Sequence, residues 1–349
     1  VEPRQSLLAA LREAIRGPGW APGRHLVEGG MPSLDGATGW LNSPPLTTEG
    51  LRGRVVAVDF WTYTCINWLR TAPYRRAWHE SYRDSGLVVL GVHTPEFAFE
   101  RDVGNVRRAV EDLRIRHPVA VDSDYAVWTA FANMYWPALY LVDAQGKIRF
   151  THAGEGAYEE SEGVIRQLLS EVGADGTLPG PVGDERDVEG RGVEAAADRA
   201  HLASGETYLG ADRTEHFASP ERLAVGSSRR YTAPSRLPAE HWALTGGWTV
   251  QPDAVLLDEP GGRIRVRFTA RDLHLVMAPA VTVPVPFRVL LDGRPPGADH
   301  GEDVDDDGAG TLTEPRLHQL VRQRRPVVER TFEIGFADPG VRAFAVTFG

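Results

Sequence analysis

Val55-Val56-Ala57-Val58-Asp59-Phe60-Trp61 is an apolar run interrupted by a single acid. A continuous apolar stretch of this length marks a strand buried on both faces. From Asn67 to about Arg83, Leu69, Pro73, Tyr74, Ala77, Trp78 and Tyr82 recur at helical spacing. A buried strand feeding a helix commits this half of the chain to an α/β layer arrangement. Cys65 falls where the strand ends and the helix begins. Pro73 is expected to kink the helix, because it lacks an N–H and crowds the preceding turn.

The rest of the first half continues the alternation. Leu87-Val88-Val89-Leu90-Gly91-Val92 reads as a second buried strand and Phe99 to Leu113 as a charged surface helix. Pro118 to Val121 is a short extended piece, and Tyr125 to Phe131 a short helix. Ala138 to Val142 and Ile148 to His152 flank Asp143-Ala144-Gln145-Gly146, a hairpin signal, and Glu159 to Leu169 closes the region as a helix. Residues 173–203 are rich in Gly, Pro, Asp, Glu and Ala and read as a linker, with a short helix near Val193 to Leu202. Beyond it the period becomes two: Ile264, Val266 and Phe268; Leu273, Leu275 and Met277; Phe287, Val289 and Leu291; Phe332, Ile334 and Phe336; Phe344, Val346 and Phe348. Such runs predict an all-β sandwich or jelly roll. The division expected is an N-terminal helical extension over 1–25, an α/β domain over 26–172, a linker over 173–203 and a β-sandwich over 204–349.

Cys65 is the single cysteine among 349 residues. That excludes an intramolecular disulfide framework and a zinc site built on several thiolates. A net charge of −10 argues against nucleic acid as a main partner. No run approaches the roughly 18 apolar residues of a membrane span. Leu7, Leu8, Leu11 and Ile15, with Arg12, Glu13 and Arg16 between them, make an amphipathic N-terminal helix without the apolar core of a signal peptide. A cytoplasmic location is expected for a stand-alone chain. An extracytoplasmic one is the alternative if the chain, which begins with Val1, was cut from an anchored or secreted precursor.

Cys65 opens a helix, where unpaired N–H groups and the helix dipole favour a thiolate. The competing reading is an inert buried cysteine. Val58-Asp59-Phe60-Trp61 followed by Cys65 resembles the strand, buried acid, aromatic pair and nucleophile of thioredoxins. The resemblance extends through Phe60 to Asn67, Leu87 to Phe97 and Tyr135-Trp136-Pro137-Ala138. It continues through Glu206-Thr207-Tyr208-Leu209-Gly210, Ala270 to Val276 and Phe348-Gly349. Over about residues 30–349 the chain is similar to the soluble region of DipZ-type cytochrome c biogenesis proteins. This implies a TlpA/thioredoxin-like domain followed by a β module of the jelly-roll, carbohydrate-binding-module type.

The resemblance assigns Cys65 as attacking thiol and Asp59 as the buried acid that moves protons for a second thiol. Hydrogen bonding of Asp59 to its own surroundings is the structural alternative. Pro137 matches a proline kept cis beside the nucleophile, with Trp61 and Trp136 lining the substrate groove. The second thiol is missing: Trp68 stands three residues after Cys65, on the same helix face. That indole could screen the thiol, stack on substrate or pack. His93 and Glu96 follow a strand's carboxyl end, where open α/β sheets place ligands. His93 is a candidate base and Glu96 a candidate substrate contact, and a hydrogen-bonded structural histidine is the alternative.

Three functions fit one thiol. The first is monothiol exchange with protein or low-molecular-weight thiols and disulfides, in which a mixed disulfide waits for an outside thiol. Rapid alkylation of Cys65 at neutral pH is its expected mark. The second is one-cysteine peroxidase chemistry through a sulfenic acid, for which Thr62 in Thr62-x-x-Cys65 is a weak echo of peroxiredoxins. The third is a redox-inactive binding or scaffold protein. None needs an organic cofactor. Asp303, Asp305, Asp307 and Glu314 fit the calcium-loop expression D-x-D-x-D-G-x5-E, and a solvated acidic turn fits them as well. His241, Trp242, Trp248, Arg271 and His274 could offer a carbohydrate its stacking surface, or could be core.

Overall fold

The computed structural model describes residues 29–173, 178–183 and 188–349. The N-terminal helix expected over the first 25 residues lies outside them. The described chain forms two compact units. One gathers residues 29–61, Arg75–Thr94 and 116–183; the other gathers Thr62–Tyr74, Pro95–Ile115 and 188–349.

The first unit is built on six strands: β1 (Gly39–Leu41), β2 (Val55–Trp61), β3 (Leu87–His93), β4 (Val119–Val121), β5 (Ala138–Val142) and β6 (Ile148–Ala153). Their order is β1-β4-β3-β2-β5-β6, parallel across β4-β3-β2 and antiparallel elsewhere. Helix α1 (Ile66–Tyr82) links β2 to β3. This is a thioredoxin-like fold. Every residue of β2 is buried, as its unbroken apolar run demands. Phe60 carries much of the core, with edge-on contacts to Trp128, Phe131 and Tyr140. The β5–β6 turn is held by the Asp143 carboxylate, which accepts the N–H groups of Gln145 and Lys147. Gly146 completes it at φ +73°, a conformation glycine adopts without strain.

α1 is continuous through Pro73. β1 was not legible, being three residues long. In the other unit the single helix expected over Phe99 to Leu113 is split into a 3-10 turn (Ala98–Arg101) and helix α2 (Val103–Asp112). Asp102 causes the split: its side chain accepts the N–H groups of Gly104 and Asn105, which starts a new helix. Helices α3 (Ala126–Ala130) and α4 (Tyr158–Glu171) match their expected spans closely. The helix expected near Val193 to Leu202 is only a 3-10 turn over Gly192–Glu194.

The second unit holds eleven antiparallel strands among the described residues. They are β7 (Thr207–Tyr208), β8 (Ser228–Tyr231), β9 (Trp242–Val250), β10 (Val255–Leu257), β11 (Arg263–Phe268) and β12 (Asp272–Pro279). β13 (Val285–Leu291), β14 (Ala309–Leu312), β15 (Arg316–Arg322), β16 (Arg330–Phe336) and β17 (Val341–Phe348) follow. The main path is β14-β13-β16-β11-β9-β10-β17-β12-β15. β13 near one end and β12 and β15 at the other feed the same hydrophobic cluster, so the sheet curls over on itself. The corner is β9. Trp242–Thr245 pair with β11, whereas Trp248–Val250 pair with β10. The change of partner falls at Gly246, whose φ is +97°. A Cβ there would sit 3.0 Å from the Gly262 Cα. The Gly246-Gly247 pair also hid this long strand from the sequence pattern.

The segment carrying Cys65 packs within this second unit. Phe97 and Phe99 lie against the Phe344 ring at 4.9 Å each. Arg70 donates from Nη2 to the Phe348 carbonyl at 2.9 Å. No described helix is long and apolar enough to cross a membrane.

Candidate active site around Cys65

Cys65 occupies the turn between β2 and α1. Its N–H donates to the Thr62 carbonyl at 3.3 Å, and its own carbonyl accepts from Leu69 N at 2.9 Å, closing the first helical turn. The residue is half-buried and is in no disulfide. The backbone N–H groups of Trp68 and Asn67 bond the sulfur and favour the thiolate, as a helix N-terminus should. They are outweighed. Burial pushes the thiol's pKa well up, and the charges of Glu96 and Glu206 push it further. Burial first, and then the two carboxylates, oppose the helix N-terminus at this thiol.

Those carboxylates form an ordered cluster. Tyr208 Oη lies 2.8 Å from Glu96 Oε1 and 2.8 Å from Glu206 Oε2. Arg213 Nη2 donates to Glu96 Oε1 at 2.9 Å, and its guanidinium lies 3.4 Å from the Tyr208 ring centroid. Burial and then the Glu96 charge raise the Glu206 pKa to about 7. Glu206 is exposed as a residue, while its carboxyl is crowded by protein; the second carboxylate alone would fix the upward direction.

Glu100, which the sequence reading passed over, ties this cluster to the cysteine turn. It is fully buried. Its Oε2 accepts the N–H groups of Glu96 (2.6 Å) and Phe97 (2.8 Å), and its Oε1 accepts the Thr64 hydroxyl at 2.7 Å. Burial raises its pKa to about 7 against those bonds. The signal was local: an acid three residues after Phe97 can reach back to the N–H groups that open a helical turn.

The candidate residues divide between the two units. Cys65, Thr62, Trp68 and Glu96 belong to one, and Asp59, Trp61, His93, Trp136 and Pro137 to the other. Trp68 is fully buried, so it packs and cannot stack on a substrate. Thr62 is also fully buried. Asp59 Oδ1 accepts from Arg75 Nε at 2.8 Å, with both side chains buried, and Arg75 lies over the Trp78 ring at 4.8 Å. The acid thus has a dedicated cation. Trp61 is fully buried and meets His93 edge-on at 4.9 Å, which removes it from any substrate surface. Burial lowers the His93 pKa to about 3, so this imidazole is neutral at physiological pH. Trp136 is half-buried and donates from Nε1 to the Thr94 carbonyl at 3.0 Å, and the Trp136–Pro137 peptide is cis.

The acidic loop is a turn. Asp305 accepts the Ala309 N–H at 2.8 Å. Asp303 and Glu314 bond Arg316 at 2.6 and 3.2 Å, and Glu314 also pairs with Arg108 at 3.5 Å. They line a cavity of about 390 Å³ beside Tyr63 and Leu69. Arginines hold oxygens of Asp303 and Glu314, and among the described residues no group of three or more His, Cys, Asp or Glu is placed to hold a metal ion. Of the stacking candidates, Trp242, Trp248 and His274 are buried in the β core. Their rings offer no face to a sugar.

Comparison with known proteins adds to this geometry. A model of the family described as "Thioredoxin like C-terminal domain" matches residues 204–349. Protein DipZ of Mycobacterium bovis and of Mycobacterium tuberculosis are each 35% identical over 327 residues, covering 92% of this chain and 43% of the relative. The chain thus spans less than half the length of those relatives. The thiol-disulfide oxidoreductase YkuV of Bacillus subtilis is 32% identical over 143 residues, covering 41% of this chain and 95% of the relative. A solution structure of a thioredoxin-like protein in the oxidised form is 32% identical and covers 41% of this chain and 97% of its own, with a TM-score of 0.39.

Proposed function

The chain belongs to the thioredoxin-like family, and from that premise we propose that it is a thiol-disulfide oxidoreductase acting through Cys65 alone. The relative YkuV carries that activity in its name, and DipZ is similar along almost the whole chain. The observation that carries the reading is the setting of Cys65. It is the single cysteine, half-exposed, at the start of α1, with backbone N–H groups bonded to its sulfur. The position of a second thiol is filled by Trp68, an indole sealed in the core. Substrate disulfide would therefore be attacked by Cys65, and the mixed disulfide would persist until an external thiol resolved it. The partners are protein or low-molecular-weight thiols and disulfides, and no cofactor is required.

The raised thiol pKa changes the expected kinetics. Cys65 should react slowly at neutral pH and faster as the medium becomes alkaline, because only the thiolate attacks. Incubation of the native chain with oxidised glutathione tests the reading by intact mass. One glutathione adduct, absent in Cys65→Ser and removed by free thiol, supports it. Modification of Cys65 only after unfolding would leave a thioredoxin-fold scaffold with an inert cysteine.

A further inference from the structure

We propose that the outer face of the second unit's sheet, where β11, β16 and β13 run side by side, holds a site for a small molecule carrying a carboxylate or phosphate on a flat, largely apolar body. Arg288 and Arg263 are its anion contacts, and Gly335 is its floor. These residues take no part in the thiol chemistry above.

Alternation along the strands brings these side chains together. In β13 the buried residues Val285, Phe287, Val289 and Leu291 leave Pro286, Arg288 and Leu290 on the outer face. In β11 the buried Ile264, Val266 and Phe268 leave Arg263, Arg265 and Arg267 there. β16 lies between them and pairs with both. Arg263, Gly335 and Arg288 therefore form one row across the sheet, and Arg265, Glu333 and Leu290 form the next. The two arginines of the first row stand two strand spacings apart, about 10 Å between Cα atoms, with no side chain between them. The result is a trough of about 370 Å³ over Gly335. That lies near the small end of the roughly 300–1,000 Å³ of small-molecule sites, so the ligand is about the size of a single ring. Pro286 and Leu290 line the trough on either side of Arg288, which makes that wall apolar around one charge.

Two features mark the trough as a site rather than a gap between side chains. The first is Gly335. A glycine inside a strand weakens it, and neither backbone nor packing demands one here. Gly335 is not among the glycines at positive φ. The nearest neighbours of a Cβ built there would be atoms of Arg263, at 3.6 Å or more, which is ordinary contact. The middle of a strand paired on both sides is thus left bare although it has room for a side chain. Such a position lets a ligand lie close to the backbone. The second feature is charge. Glu333 is buried, and its carboxylate bonds Arg263 at 2.9 Å and Arg265 at 2.6 Å. One carboxylate serves two guanidiniums, so a positive charge is left over. Arg288 adds another, because among the described residues it has no hydrogen bond or ion pair. Its neighbours do: Arg267 pairs with Glu329, and Arg330 with Asp292. In a chain of net charge −10 the trough is locally cationic. A guanidinium offers parallel N–H groups that match a carboxylate or phosphate. Arg263 keeps donors beyond the one it gives to Glu333, so a ligand over Gly335 meets guanidinium on both sides.

The test is calorimetric titration of the full chain, in low-salt buffer, with benzoate, phenyl phosphate and the neutral benzyl alcohol. Saturable binding of at least one anion is expected, about tenfold or more tighter than that of benzyl alcohol, as a charge-assisted hydrogen bond should give. The anion that binds more tightly identifies the oxyanion. Arg288→Met keeps the apolar stem and removes the charge. It should weaken that anion about tenfold and leave benzyl alcohol unchanged. Gly335→Val should fill the trough and abolish binding while the melting point holds or rises, since valine suits a strand better than glycine. If Gly335→Val melts lower, Gly335 serves the fold, and the Arg288→Met titration decides the site by itself. Anion binding unchanged in Arg288→Met, benzyl alcohol bound as tightly as the anions, or no saturable binding of either anion at millimolar concentration each overturns the proposal.

Discussion

Asp59 and Glu206 are acids placed in opposite electrostatic company. Asp59, on β2, is fully buried and bonded to the buried guanidinium of Arg75. Glu206, just before β7, shares a phenol with a second carboxylate and is exposed as a residue. A buried acid with its own cation has its charge fixed, because neutralising either partner strands the other. An acid that must share one hydrogen-bond donor with another acid is the easier place to store a proton. The same contrast runs through the neighbouring groups. His93 and His117 of the first unit are buried and held neutral, with pKa values lowered to about 3 and about 4. Glu100 and Glu206 of the second are raised to about 7. The acids raised toward neutrality thus lie in the unit that carries the thiol, and the buried ion pair and neutral imidazoles lie in the other.

The strongest way to break this comparison is Arg75→Met. It leaves the Asp59 carboxylate buried without its cation, and the expected loss of stability is about 3–5 kcal/mol. Asp59→Asn added to it should recover much of that loss, since the pair would then carry no charge. Denaturant melts of the two variants check this. A single variant as stable as the native chain would mean that Asp59 is protonated and was never a fixed charge.

Acid comes next. His93, His117, His274 and His318 have pKa values lowered by burial to about 3, 4, 3 and 4. The unfolded chain binds their protons near pH 6.5 and the folded chain does not, so their contribution is present above that pH and is lost as pH falls. Glu100 and Glu206 act in the opposite sense. Their raised folded values hold protons that the unfolded chain releases, so their contribution to stability falls as pH rises from about 4.5 to about 7. Four groups against two, with the exposed Glu206 counting for less because solvent screens it, leaves a net loss of roughly 2–3 kcal/mol between about pH 6.5 and about pH 5.5. Denaturant midpoints measured across that interval should fall toward acid. A flat or rising series would show that the buried histidines do not control acid stability.

The sequence disclosed the scaffold more readily than the site. β2, α1, β3 and the β5–β6 hairpin follow from apolar runs and helical spacing, which local pattern records well. β9 was hidden because Gly246-Gly247 breaks the alternation at the point where the strand changes partners. Cys65 was evident as the single thiol, and Trp68 as the residue in place of a second. Glu96 was evident only as a candidate substrate contact, and Glu100 and Glu206 were not evident at all. Glu96 and Glu206 are 110 positions apart in the sequence, and their joint effect on the thiol depends on a tertiary contact through Tyr208. The burial of Trp61, Trp242 and Trp248 was likewise set by the strands on which they fall, and an aromatic residue read alone carries no such information.

The smallest expected effect tests how the two glutamate roles are joined. Glu100 Oε2 accepts two backbone N–H groups, those of Glu96 and Phe97, and Oε1 accepts the Thr64 hydroxyl. Glu100→Gln keeps the shape and can satisfy only one side. Either the amide –NH2 faces the two N–H donors, or it faces the hydroxyl, which must then turn to accept. The expected destabilisation is about 1–3 kcal/mol, the range for a buried donor left without its acceptor. A merely structural Glu100 would lower the melting point and leave the chemistry of Cys65 alone. If it also positions Glu96, the variant should shift the pH profile of Cys65 alkylation, because the Glu96 charge acts on the thiol. A lower melting point with an unmoved profile would separate the scaffold role of Glu100 from the effect of Glu96 on the thiol.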